Sequence, residues 1–464
     1  MPAKYHIHTE PALPRFRPVG KLGIVEWRED CSSCHNCVKR ACIYGFFRDE
    51  ADTLHDERGY LDYIYQCKGC LSCVQNCTKG VLTRVINPEY ERLGDEYYTP
   101  EIILSTWYQA ETGRIPVSGA GYGGPFSGDG FDAMWTDMSE IVRPTRDGIH
   151  GREYINTGVD IGRKLRRLAF GDGEMIAAPH PLLESPLPVM FDAIPRRWNV
   201  GKLLCAMTEA ATRISLYSVV RAADIPPEVS LERHNVIPWL ETAEQIGDGA
   251  FSAAAMVMVS DSRGVMTAVA NLKQNNADQI VAIRLPAAPG VAGRVQELVQ
   301  QGAEVIHLVF DEHGREHAPS SPRHICGALR EIHRALVEDG TRDLVTLSAS
   351  GGIALAEHMA KAIVCGADLV AIDVPLGLAL ECRLCGECER GEACPVNLPD
   401  AEPDYAVRRV VNLLGAWHQQ LIELLGAMGL REVRRLRGET GRCMFFEDLE
   451  RETFGRLFGK RKDM

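Results

Sequence analysis

From about residue 250 the chain switches regularly between two hydrophobic patterns. MVMVS (256–260), QIVAIRL (279–285), EVIHLVF (304–310), DLVTLSAS (343–350) and DLVAIDV (368–374) are short apolar runs. Such runs read as strands buried on both faces. VAGRVQELVQQGA (291–303), PRHICGALREIHRALVEDG (322–340) and LAEHMAKAIVCGA (355–367) place apolar residues at helical spacing instead. Serial strand–helix units predict a parallel α/β sheet, and an unbroken series favours a closed (β/α)8 TIM barrel over a doubly wound sheet. Further on, YAVRRVVNLLGAWHQQLIELLGAMGL (405–430) keeps the helical period, with Gly415, Gly426 and Gly429 as weak points. It predicts two helices packed on the barrel or on a partner.

The 464 residues, 45% of them hydrophobic, suffice for two or three domains with a true core. The expected division is an N-terminal domain over 1–95, the barrel over 96–400 and a helical extension over 401–464. A formal net charge of −12 argues against a nucleic-acid surface. The start, MPAKYHIHTE, lacks the cationic and apolar pattern of a secretory signal, and AAAMVMV (253–259) is too short to span a bilayer. A cytoplasmic protein without a membrane span is expected. Near the C-terminus REVRRLRGETGR (431–442) is rich in arginine. It reads as a solvated helix face or as a docking surface for an acidic electron carrier.

Cysteine usage changes the picture most. Of sixteen cysteines, twelve fall in three runs with metal-ligand spacing. The first is CSSCHNCVKRAC, with Cys31, Cys34, Cys37 and Cys42; the second is CKGCLSCVQNC, with Cys67, Cys70, Cys73 and Cys77. Two-cluster ferredoxins use three closely spaced cysteines for one cluster and a fourth for the other. That pattern predicts a ferredoxin-like domain with two [4Fe–4S] clusters, one on Cys31, Cys34, Cys37 and Cys77, the other on Cys67, Cys70, Cys73 and Cys42. One extra residue precedes Cys42, and Thr78 stands where the pattern has proline. Structural zinc, which takes two ligand pairs, fits these triplets less well. The third run, ECRLCGECERGEACPVN (381–397), supplies Cys382, Cys385, Cys388 and Cys394 directly after the last strand. A third iron–sulfur cluster, of the [4Fe–4S] type, and a closed zinc site both suit four cysteines. Cys205, Cys326, Cys365 and Cys443 are isolated in sequence and read as buried apolar thiols.

Two glycine stretches invite cofactor readings. GAGYGG (119–124) has the dinucleotide-binding spacing, but Pro125 follows at once and no helix or ribose-binding acid comes after it. SASGGI (348–353) lies after the penultimate strand and before a helix, where a barrel commonly holds a cofactor phosphate. Ser350, Gly351 and Gly352 are therefore candidate cofactor-binding residues.

PVSGAGYGG (116–124), EYINTGVDIGRK (153–164), VAIRL (281–285), RDLVTLSASGG (342–352) and GAD (366–368) leading to ECRLC…CPVN together carry a resemblance. Residues from about 97 to 400 resemble the FMN-binding synthase domain of glutamate synthases, particularly the short archaeal-type proteins. The resemblance implies FMN, with Ser118, Gly119, Ala120 and Gly121 passing under the flavin ring near the barrel start. It also implies a cluster after strand 8 close to the flavin, and electron exchange with a carrier protein or redox partner subunits. The implied reaction is reductive amination of 2-oxoglutarate, with ammonia from a separate glutaminase subunit, since this chain begins Met1-Pro2-Ala3. Arg284 stands where the family has lysine, and His150 lies in a charged loop, PTRDGIHGRE (144–153). Both are candidate catalytic residues. VFDEHGREHAP (309–319) replaces a glycine-rich stretch of the family, and Asp373-Val374 replaces Gly-Thr. His313 and His317, within the first of these, read as ordinary polar loop residues. These departures favour a rival reading, a flavin and iron–sulfur electron-transfer subunit of a larger complex with no amino-acid substrate.

Overall fold

The computed structural model describes residues 5–16, 19–21, 26–27, 40, 43, 71–80, 82–83, 86–115, 130–136, 154–165, 170–171, 174–175, 180–198, 201–231, 235–242, 245–246, 249–318, 320–449 and 451–452. Its centre is a closed barrel of eight parallel strands: β1 (Val189–Phe191), β2 (Ser218–Arg221), β3 (Val236–Leu240), β4 (Met256–Ser260), β5 (Ile280–Pro286), β6 (Val305–Val309), β7 (Thr346–Ser350) and β8 (Leu369–Ile372). β8 pairs with β1 through Val370–Val189, Ala371–Met190 and Ile372–Phe191, which closes the ring. The α/β barrel expected from the apolar runs is present.

Helices α1 (Pro100–Thr112), α2 (Gly201–Arg213), α3 (Val265–Asn275), α4 (Val291–Gln300), α5 (Ile325–Glu338) and α6 (Ala356–Val364) come in that chain order. After β8 follow the short α7 (Val374–Ala379), the third cysteine run and the long α8 (Pro403–Ala427). Strands β4 to β8 lie where the apolar runs put them. The barrel begins earlier than expected from residue 250, because β1 to β3 are short, β3 contains Pro238, and only a 3-10 turn, Ala222–Asp224, is described between β2 and β3. Without a regular α-helix after β2, the strand–helix period does not stand out there.

The glycine stretch 116–124, expected under the flavin ring near the barrel start, lies outside the described residues. The chain leaving the first barrel strand is described. It is Asp192-Ala193-Ile194-Pro195.

The tail differs as well. One continuous 25-residue helix replaces the two expected. Glu402 caps it, accepting hydrogen bonds from Asp404 N and Tyr405 N. Its buried face includes Leu413, Leu414, Trp417, Leu421 and Leu425, and burying each such side chain is worth about 1.5–3 kcal/mol. That outweighs a glycine penalty of about 1 kcal/mol. Gly415 has a specific use, since a Cβ there would meet Thr9 Cγ2 at 2.5 Å and Ile7 Cγ2 at 3.5 Å. The N-terminal segment lies across α8 at that point, held by Asn412 Nδ2 donating to Glu10 O at 2.7 Å and Arg409 Nη1 donating to Ala12 O at 3.0 Å. Gly415→Ala therefore gains helix propensity but displaces this segment. We expect a net loss of about 1–2 kcal/mol in urea unfolding, where an exposed helix glycine would have shown a gain.

Three arginines of the 431–442 stretch bond within the molecule. Arg437 bridges Asp368 at 2.8 Å and Asp343 at 2.5 Å, Arg434 reaches Asp160 at 3.0 Å, and Arg442 donates to Met428 O. These contacts fasten the tail to the barrel, while Arg431 and Arg435 stay exposed. Among the described residues no helix is long and apolar enough to cross a membrane.

Candidate functional site

The third cysteine run is built at the carboxyl end of β8. Cys382, Cys385, Cys388 and Cys394 line a single cavity of about 290 Å³, together with Tyr98, Arg197, Trp198 and His313. The loop turns sharply because Glu381 and Leu384 adopt left-handed backbone (φ 71° and 48°), as does Gly386 (φ 70°). Glu381 is 4% exposed and anchors the loop, accepting from Arg15 Nε at 3.1 Å, Phe16 N at 3.2 Å and Tyr405 Oη at 3.0 Å.

The donor set suits a cluster. Burial pushes the Cys382 thiol up to about 12, and the neighbouring Cys394, Cys385 and Cys388 push in the same direction. As thiolates the four sulfurs would repel one another, and bound iron would offset that charge. Backbone hydrogen bonds from Leu384 and Glu387 reach Cys382 and Cys385. Tyr98 Oη and Trp198 Nε1, both on this cavity, are buried without a hydrogen-bond partner among the described residues. Such orphaned donors are uncommon, and a buried group with acceptor atoms in this cavity would satisfy any that face it. A closed zinc site would need four sulfurs about 2.3 Å from one ion. Among the described residues no three His, Cys, Asp or Glu side chains are placed to hold a single metal ion.

An ionic bridge ties this rim to the barrel. Arg197 meets Glu312, on the loop after β6, through two bonds of 2.5 and 2.8 Å, and Glu389 of the cysteine loop at 3.1 Å. His313, in the same β6 loop, reaches Asp95 at 3.0 Å.

Inside the barrel mouth, Ser260, Arg284, His307 and Ser348 are register partners on four successive strands. Arg284 makes a two-point ion pair with Asp192 (2.6 and 3.0 Å), and its guanidinium lies 4.4 Å from the Trp239 ring centroid. His307 Nε2 is 3.6 Å from Asp192 and 3.2 Å from Ser350 Oγ, and its Nδ1 is 2.8 Å from Ser348 Oγ. Burial lowers the His307 pKa below its ordinary value, against the opposing pull of Asp192. Asp192 is held well below the usual carboxylate range, because Arg284 and His307 outweigh its desolvation. Arg284 thus sits where a catalytic cation was expected, but its charge is engaged.

The expected phosphate cradle is also filled. Gly351 and Gly352 are buried; a Cβ on Gly351 would meet Asp311 O at 2.4 Å, and one on Gly352 would meet Gly314 Cα at 2.6 Å. Gly352 N donates to Glu312 O at 3.1 Å, and Gly352 O accepts from Tyr97 Oη. These glycines permit close packing of the β6 and β7 loops, and Ser350 turns to His307. At the next loop, Asp373 caps α7 by accepting from Val374 N at 2.6 Å. A phosphate at that helix start would face a carboxylate. The residues described here do not fit a phosphate held on Ser350, Gly351 and Gly352.

Ser118, Gly119, Ala120, Gly121 and His150 lie outside the described residues, as do Cys31, Cys34, Cys37, Cys42, Cys67 and Cys70. Of the N-terminal set, Cys73 lies in a short helix, Ser72–Gln75, and Cys77 follows it. Asp192, Arg197, Tyr98 and Trp198 were not singled out from sequence. His307 had a usable signal, a lone polar residue inside the apolar run EVIHLVF.

Residues 241–431 match the family model described as the conserved region in glutamate synthase. An archaeal glutamate synthase [NADPH] from Archaeoglobus fulgidus is 24% identical over 97% of this chain and 98% of its own. The archaeal-type enzyme of Thermotoga maritima is 25% identical over 88% and 91%, and that of Methanocaldococcus jannaschii 37% over 25% and 24%. The chain is similar to archaeal-type glutamate synthases. Among solved structures, a mandelate oxidase covers 62% of this chain and 89% of its own at 18% identity, with a TM-score of 0.39.

Within this glutamate-synthase-like site, Asp373 offers a pH test. Desolvation, reinforced by Asp192 and Glu312, raises its pKa to about 7, while Val374 N–H and Arg197 oppose. Between the ordinary carboxylate range and about 7 the folded chain holds a proton that the unfolded chain has released. Its contribution to stability is therefore present at low pH and lost as pH rises through that window. Asp373→Asn keeps an acceptor for Val374 N–H without the charge. The variant is expected to exceed the parent by about 2 kcal/mol near pH 8 in urea unfolding, with the gap closing toward pH 5. An equal gap at both pH values would contradict this assignment.

Proposed function

We propose that this glutamate-synthase-like oxidoreductase carries an iron–sulfur cluster on Cys382, Cys385, Cys388 and Cys394, at the rim of its barrel. A cluster there supplies one-electron transfer at the carboxyl face, where α/β barrels do their chemistry. The single observation that supports the reading is that the four cysteines line one cavity together with Tyr98 and Trp198, whose Oη and Nε1 are buried without a hydrogen-bond partner among the described residues. This chain's residues orient the site. Glu381 anchors the loop, and Arg197 ties it to Glu312 of the barrel.

The two N-terminal clusters, FMN and the glutaminase partner belong to this proposal as implications of the resemblance. The filled cradle at Gly352 and Asp373 gives no basis for a step through FMN. Reductive amination of 2-oxoglutarate is the first version of the function. A specific observation favours the second, an electron-transfer subunit without an amino-acid substrate: Arg284, the cation in the mouth available to grip a substrate carboxylate, is bound at two points by Asp192.

Anaerobic purification with iron, sulfide, zinc and flavin quantitation tests the cofactor set. Zinc in the third site would reject the cluster. Turnover with reduced ferredoxin, 2-oxoglutarate and ammonia separates the two versions: glutamate formation supports the first, and its absence from an enzyme with full clusters supports the second.

A further inference from the structure

We propose that Cys326, Cys365 and Met134 form a second, independent metal site, a three-sulfur site for Cu(I). They come from three separate elements: Cys326 from the start of α5, Cys365 from the C-cap of α6, and Met134 from the strand Met134–Thr136. Cys326 Sγ lies 3.8 Å and Cys365 Sγ 3.9 Å from Met134 Sδ, and the two thiols are near enough to act on each other. An ion about 2.3 Å from each of three coplanar sulfurs holds them about 4.0 Å apart. The two thiol–thioether sides are thus already at the size of a trigonal site.

Ligand chemistry selects the ion. Thiolate and thioether donors favour soft Cu(I), whereas zinc takes four ligands. The third donor is a thioether, which agrees with there being no three His, Cys, Asp or Glu side chains placed for a metal among the described residues. Binding releases two protons, leaving two thiolates and one Cu(I) with net charge −1 and no change of oxidation state. Burial disfavours a free thiolate at Cys326, a cost the metal bonds must meet, while Lys361 and Arg330 act in the favourable direction. Access exists as well. Cys443, half-buried, lies beside Cys365, and its strand pairs with that of Met134 through Phe445. Cys443 can accept the ion at the surface and pass it inward by ligand exchange.

The test uses the full chain with its iron content measured, titrated anaerobically with Cu(I) buffered by bathocuproine disulfonate. The expected result is one tight equivalent with sulfur-to-copper charge-transfer absorption, no iron release and a raised melting temperature. Met134→Leu keeps the volume of the core and should weaken that equivalent at least roughly tenfold. Cys326→Ala and Cys365→Ala should abolish it. Unchanged binding in folded Met134→Leu and Cys326→Ala, iron release at the first equivalent, or a Cys326–Cys365 disulfide in the anaerobic protein would each overturn the site.

Discussion

Replacing Arg284 by methionine is expected to destabilise the protein by about 3–5 kcal/mol, a large part of the stability of a typical fold. Asp192 is 3% exposed and has Arg284 as its two-point partner, so the substitution leaves a carboxylate stranded in the mouth. Its pKa would then rise, as the Asp373 carboxyl, also desolvated, shows on the same side of the barrel. The paired change Asp192→Ala with Arg284→Met should recover much of the loss, because neither charge remains unpaired. Urea unfolding of the two single variants and the double variant measures the coupling. A cost below about 1 kcal/mol for Arg284→Met would show that the pair does not hold the mouth together. The same experiment bears on function, since a substrate carboxylate would have to displace Asp192 from Arg284.

Cys382→Ser should remove the third cluster selectively. Iron and sulfide would fall by about one third if all three sets hold four-iron clusters. Electron delivery should fall by more than the roughly 10–100-fold typical of losing a supporting residue around a metal. Cys382 is the ligand to choose because it is the most buried of the four and sits next to Glu381, whose bonds to Arg15 and Tyr405 leave the rest of the loop anchored. Unaltered iron with unaltered activity would remove the basis of the proposed function.

Much of this site was legible in the chain. The Cys382–Cys394 spacing pointed to a sharply turning ligand loop, because ligands to one cluster must come from a short segment, and the structure has the sharp turn. Its place after the last apolar run put that loop at the barrel rim. Arg284 stood out as a charge in an apolar strand. The glycines of 348–353 were read as a cradle, since sequence shows that backbone is bare but not what approaches it. Here the 310–314 loop approaches it. Cys326 and Cys365 looked isolated because 39 positions separate them in the chain, and only folding joins the ends of α5 and α6.

Local periodicity, cysteine spacing and charge were enough to determine a parallel barrel, the place of a four-cysteine loop on its rim and a net acidic chain. Each depends on neighbours a few residues apart. Where the barrel begins, that α8 runs unbroken through Gly415, that Asp192 neutralises Arg284 and that Asp373 and Glu312 fill the phosphate position were decided by tertiary structure. Those outcomes depend on which distant groups meet in a desolvated space, and pairing energies there exceed local preferences.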